Sequence, residues 1–123
     1  MQAISLAQRA YAPNSDAIRT PRSIEYQVIA RITHRLRDAV QKKNRRALIE
    51  AMHDNRMLWN ALAADVAASG NGLPEDLRAR IFYLAEFTGL HTQRVLRREA
   101  DPVPLIEINA AILGGLQQEG HAA

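Results

Sequence analysis

The chain contains no cysteine. That absence removes disulfides, thiolate nucleophiles and cysteine-ligated zinc or iron–sulfur centres, and nothing in the composition requires an oxidising compartment. No apolar run approaches the roughly 20 residues of a membrane-spanning helix. The opening "MQAISLAQRAYAP" lacks the basic start and long apolar stretch of a secretory signal. Of the histidines His34, His53, His91 and His121, no two stand four apart on one helix face, so a helix-borne imidazole pair for a metal is missing. Repeats and low-complexity tracts are lacking as well. Strand signals are also missing, since the β-branched residues follow a 3.6-residue period and no hairpin dipeptide joins two alternating runs. The expectation is a cytoplasmic, helical protein without membrane span, metal or cofactor. No paired acid and base or activated nucleophile stands out, so it is not expected to be an enzyme.

What the chain does have is 123 residues, 47% of them hydrophobic, with a net charge of +3. This length suits one domain, residues 1–123, with enough buried surface for a core without cross-links. The excess of basic residues is mild, and its only cluster is Lys42, Lys43, Arg45 and Arg46. Nucleic-acid binding calls for a concentrated patch or a known module. Cations at a helix C-terminus are accounted for by the helix dipole alone.

Five helical segments can be read along the chain. A short one over 3–11 is closed by Pro13, and "APNSD" follows as loop. Thr20 as N-cap and Pro21 in the first helical position open a second, over about 21–42. The turn at Asn44 leads to a third, over 45–68, ended by "SGNGLP". Pro74 opens a fourth, over 74–98, with Glu75 and Asp76 at its positive end and Arg94, Arg97 and Arg98 at its negative end. "ADPVP" interrupts it, and a fifth runs from Pro104 to about Gln118, with "EGHAA" as a frayed tail. Short connections between long helices predict an all-α, single-domain antiparallel bundle of four to five helices.

At 100° per residue, each long helix has an apolar arc, and each arc holds polar residues. Glu25 falls among Ile24, Val28 and Ile32, and Asn55 falls among Leu48, Trp59 and Val66. Thr88 and His91 stand with Ile81, Leu84 and Val95, and Asn109 with Leu105 and Ile112. With a rise of about 1.5 Å per residue, Asn55, Thr88, His91 and Asn109 come to similar heights in an antiparallel bundle, with Glu25 lower. They are expected to form one mutually hydrogen-bonded layer that fixes helix register, as a buried Asn does in coiled coils. A lone histidine on an apolar face is ordinarily a satisfied core residue. The fourth helix also has a second apolar side, Tyr83, Phe87 and Leu90 with Arg94 beside them, and the third has a flank of small residues at Ala47, Ala61, Ala64 and Ala68. Burial inside a five-helix packing would explain both. Exposure would instead make them a groove for an amphipathic helix or a two-fold dimer contact.

Five stretches share an order and spacing with a known family. "TPRSIEYQVIARIT" at 20–33, "DNRMLWNALAADVA" at 54–67, "LPEDLRARI" at 73–81, "HTQRVLRREAD" at 91–101 and "PLIEIN" at 104–109 resemble the alphaproteobacterial flagellar biosynthesis regulator FlaF. The resemblance covers nearly the whole chain, and Ala10–Tyr11 fits it too. It implies a small cytoplasmic, non-enzymatic helical protein needed for flagellin production and secretion. Such a protein acts as an export chaperone for flagellin or as a post-transcriptional regulator of flagellin mRNA, alone or with the opposing regulator FlbT. The family's motif positions here are Pro21, Arg22, Glu25, Tyr26, Asn55, Arg56, Leu58, Trp59, His91, Pro104, Leu105, Ile106 and Asn109. Ala110–Ala111 and the basic turn at 42–46 depart from its pattern. The implied partner is an amphipathic terminal helix of flagellin, with Tyr83, Phe87, Leu90 and Arg94 as expected contacts and the protein itself a monomer or weak homodimer. RNA, held by the basic turn, is the rival partner.

Overall fold

In the computed structural model of the protein, residues 21–68 and 72–122 are described, with side chains from 26 to 68 and from 72 to 115. The expected helix over 3–11, the Thr20 cap and the side chain of Glu25 lie outside this description. The described residues form four helices: α1 Pro21–Gln41, α2 Arg45–Ala67, α3 Glu75–Leu96 and α4 Val103–Ala122. Successive helices run antiparallel. α1 packs on α2 and α4, α2 packs on α3, and α3 meets α4 only slightly, so α2 and α4 face each other across a diagonal.

Local chemistry sets each boundary. α1 ends in a Schellman turn, in which Asn44 N–H donates to the Ala39 carbonyl at 3.0 Å and Lys43 N–H to that of Val40 at 3.1 Å. Lys43 takes the left-handed conformation this turn needs, with φ 54°. The Asn44 side chain then accepts from Ala47 N–H at 3.0 Å and so caps α2. One residue thus closes one helix and opens the next. α3 ends in the same way. Glu99 N–H donates to the Arg94 carbonyl at 2.8 Å and Arg98 N–H to that of Val95 at 3.0 Å, and Arg98 is left-handed at φ 63°. Between α2 and α3, Gly72 at φ 89° takes a conformation that glycine adopts without strain.

α4 differs from the sequence expectation at both ends. It starts at Val103 because the Asp101 carboxylate accepts from Val103 N–H at 2.7 Å and caps the helix one residue before Pro104. It continues to Ala122 rather than ending near Gln118. The one glycine between Gln118 and Ala122 costs only about 1 kcal/mol in a helix, and no proline stands among these residues.

Among the described residues, Leu36, Ala39, Leu48, Met52, Val95 and Leu105 are buried together near the α1–α2 turn. α3 adds little to this cluster, and its first buried residue is Ala85. Two arginines tie α2 to α3 at opposite ends. Arg45 donates to the Leu96 carbonyl at 3.1 Å, at the C-terminus of α3. Arg78 donates to the carbonyls of Val66 at 2.9 Å and Ala68 at 3.3 Å, at the C-terminus of α2. Each covers carbonyls that a helix end leaves without a partner of its own, and together they fix the register of the pair.

Candidate functional site

Two arrangements stand apart from ordinary packing: a polar group in the bundle centre and an apolar stripe on the outside of α3. The central group is a directed chain. Trp59 Nε1–H donates to Asn109 Oδ1 at 2.9 Å, and Asn109 Nδ2 donates to Asn55 Oδ1 at 2.9 Å. The indole is a donor only, so it determines which way the Asn109 amide faces, and that in turn orients Asn55. Trp59 is 1% exposed and both asparagines 0%. The chain therefore joins α2 to α4 across the diagonal, where their backbones make no direct contact. It leaves Asn55 Nδ2 without a hydrogen-bond partner, and the buried Thr88 hydroxyl also lacks one.

Asn55 and Asn109 are thus brought together, and Trp59, read from the sequence as apolar core, supplies the third member. His91 is not part of this chain. Its Nε2–H donates to the Asp101 carbonyl at 2.7 Å, which ties α3 to the loop before α4. The reason is positional: the α3–α4 loop folds back within reach of the ring and offers a backbone acceptor. Thr88 is fully buried, yet its hydroxyl bonds to neither asparagine. Thr92 and Thr33, both buried, return their hydroxyls to the Thr88 and Ile29 carbonyls one turn back, at 2.7 and 2.6 Å. Arg56 is half-buried at the margin. Amides, threonines and an indole hold no group that shuttles protons near neutral pH, so this layer carries hydrogen bonds and no acid–base chemistry. Among the described residues, no group of three or more histidines and carboxylates is placed to hold a metal.

On the outer side of α3, Tyr83 is 66% and Leu90 65% exposed. Phe87 lies between them, half-buried, with its ring stacked on His91 at 5.2 Å between centroids and 21° between planes. Arg94, one turn beyond Leu90, is exposed. Phe82 is also partly exposed, on the flank of this stripe. It is a contact candidate that the spacing from Tyr83 does not select, since adjacent residues point about 100° apart on a helix.

Of the basic turn, Arg45 alone bonds to another helix, while Lys42 and Arg46 make exposed pairs one helical turn away. Lys42 pairs with Asp38 at 3.2 Å, Arg46 with Glu50 at 3.9 Å, and Arg45 caps α3. No helix among the described residues is long and apolar enough to cross a membrane.

No curated protein and no solved structure matches the chain. A family model described as flagellar protein FlaF matches residues 7–116, which take in α1, α2, α3 and most of α4. Both the central asparagines and the α3 stripe fall within that match, so the chain belongs to the FlaF family of flagellar proteins.

Proposed function

We propose that this flagellar protein is a non-enzymatic, cytoplasmic binder of flagellin that supports flagellin synthesis and secretion. The observation that carries this reading is the outer face of α3, where Tyr83 and Leu90 keep about two thirds of their surface in water and Phe87 bridges them. Aromatic and leucine side chains placed three and four residues apart on one exposed helix face suit an amphipathic helix laid alongside. A terminal helix of flagellin, unpartnered before export, is a ligand of this kind. Docking would cover its apolar face and delay aggregation. The ordering cost of a segment that folds on binding keeps such a complex reversible.

The rival reading is regulation of flagellin mRNA, directly or with FlbT. Arg45 is engaged as a cap on α3, which counts against a phosphate-binding role for that member of the turn. Calorimetry with full-length flagellin, and with versions lacking either terminus, at low and high salt separates the two. Salt-tolerant binding that is lost with one terminus is the expected result. No flagellin binding, with RNA binding that weakens steeply as salt rises, would overturn the reading in favour of the nucleic acid.

A further inference from the structure

The apolar stripe on α3 has charged ends. Arg80, Tyr83, Phe87, Leu90 and Arg94 follow one another at spacings of three, four, three and four. At 100° per residue they fall within an arc of about 80°, away from the buried Ala85, Thr88, Thr92 and Val95 and bordered by the buried His91, on which Phe87 stacks. All but Phe87 are exposed. This is the seam pattern of two helices packed nearly parallel or antiparallel, with apolar residues at the three central positions and an arginine at each end. The two arginines are fourteen residues apart, or about 21 Å along the axis. Among the described residues, no ion pair engages either of them.

We infer that this seam selects an amphipathic helix whose own apolar stripe is bounded at each end by a carboxylate, one opposite Arg80 and one opposite Arg94. The inference rests on the reading that α3 docks a partner helix, and it adds the charge pattern that this partner carries. Carboxylates at those positions lie at the rim, where guanidinium pairing chooses the partner and its register more than it adds affinity. The same pattern disfavours a second copy of this chain. An antiparallel pairing that sets Tyr83 against Leu90 of the other copy also sets Arg80 against Arg94, twice over, and like charges face to face oppose association. A parallel pairing sets each arginine against itself.

Alanine-based helical peptides with three leucines at the three-and-four spacing, bounded at both ends by glutamate, lysine or glutamine, provide the probes. Binding to the full chain is followed by fluorescence anisotropy at low and high salt. The glutamate-bounded peptide should bind about tenfold tighter than the lysine-bounded one at low salt, and the gap should narrow at high salt. In R80E/R94E, two exposed substitutions, the order should reverse. Equal binding of the glutamate and lysine peptides, or an order unchanged in R80E/R94E, would overturn the inference, as would no binding of any peptide. Full-length flagellin in the same assay separates the two proposals. Flagellin that binds R80E/R94E and the native chain equally leaves the flagellin reading standing and removes the charge rule. A glutamate peptide that binds while flagellin does not leaves the charge rule standing and removes flagellin as the partner.

Discussion

Asn109 donates to Asn55 across the diagonal of the bundle while it accepts the indole proton of Trp59, both at 2.9 Å. It is the middle member, and its loss breaks two bonds at once. Asn109→Leu would leave the Trp59 N–H and the Asn55 oxygen buried without partners, at about 1–3 kcal/mol each. Asn55→Leu and Trp59→Phe each break a single bond. Asn55→Leu also removes an amide hydrogen-bond donor that is unsatisfied in the native fold. Urea denaturation should therefore rank Asn109→Leu as the most destabilising of the three, by about 2–5 kcal/mol, with Asn55→Leu well below it. Equal losses for all three would mean that the hydrogen-bond chain contributes nothing beyond packing.

Tyr83→Asp and Leu90→Asp test the outer face with little risk to the fold. Both side chains are about two thirds exposed, so each change should alter stability by no more than about 0.5 kcal/mol. Each should weaken flagellin binding markedly in calorimetry. Phe87→Asp combines the two effects, because its ring stacks on His91 and a carboxylate there loses that contact. It should weaken binding and lower stability by about 1–2 kcal/mol. Unchanged flagellin affinity in both Tyr83→Asp and Leu90→Asp would place the docking face elsewhere.

The contrast between these sites shows which features could be read from the sequence. Asn44 and Pro74 mark helix starts by chemistry that acts within a few residues, and the structure keeps those boundaries to within a residue. Periodicity assigns Asn55 and Asn109 to inner faces, and both are fully buried. It does not say which helices share a diagonal, so the bond from α2 to α4 and the part played by the Trp59 N–H were not legible. His91 shows the limit most plainly. Its face and height suit the polar layer, yet a loop carbonyl takes its ring nitrogen, and loop paths carry no period. Arg45 is read only as one of a basic cluster, and Arg78 carries no signal of its own, because the carbonyls they cap belong to a neighbouring helix.

Those two arginines give a third test. Arg78 serves two carbonyls at the end of α2, one of its bonds partly buried, whereas Arg45 serves a single carbonyl at an exposed site. Arg78→Ala should cost about 1–2 kcal/mol and Arg45→Ala about half as much, since hydrogen bonds from charged donors weaken with exposure to water. Chemical denaturation of both variants and the double variant checks this. The caps sit at opposite ends of the pair and share no partner, so their effects should add. A large deviation from additivity would show that register, rather than capping, is what they jointly hold.

Lys43 and Arg98 occupy equivalent places, each the left-handed residue of a Schellman turn that glycine usually fills. A side chain in that conformation costs about 1–2 kcal/mol. Glycine would relieve this strain but bring roughly 0.5–1 kcal/mol of extra unfolded-chain entropy. The difference favours Lys43→Gly and Arg98→Gly by about 0.5–1 kcal/mol each. Neither side chain makes an ion pair among the described residues, so little is lost against that gain. Thermal unfolding should show each variant melting roughly 2–5 °C higher than the native chain. The two turns lie in different connections, so the shifts should combine in the double variant. A lower melting temperature in either single variant would mean that its basic side chain stabilises the adjoining helix end through the dipole by more than the backbone strain costs.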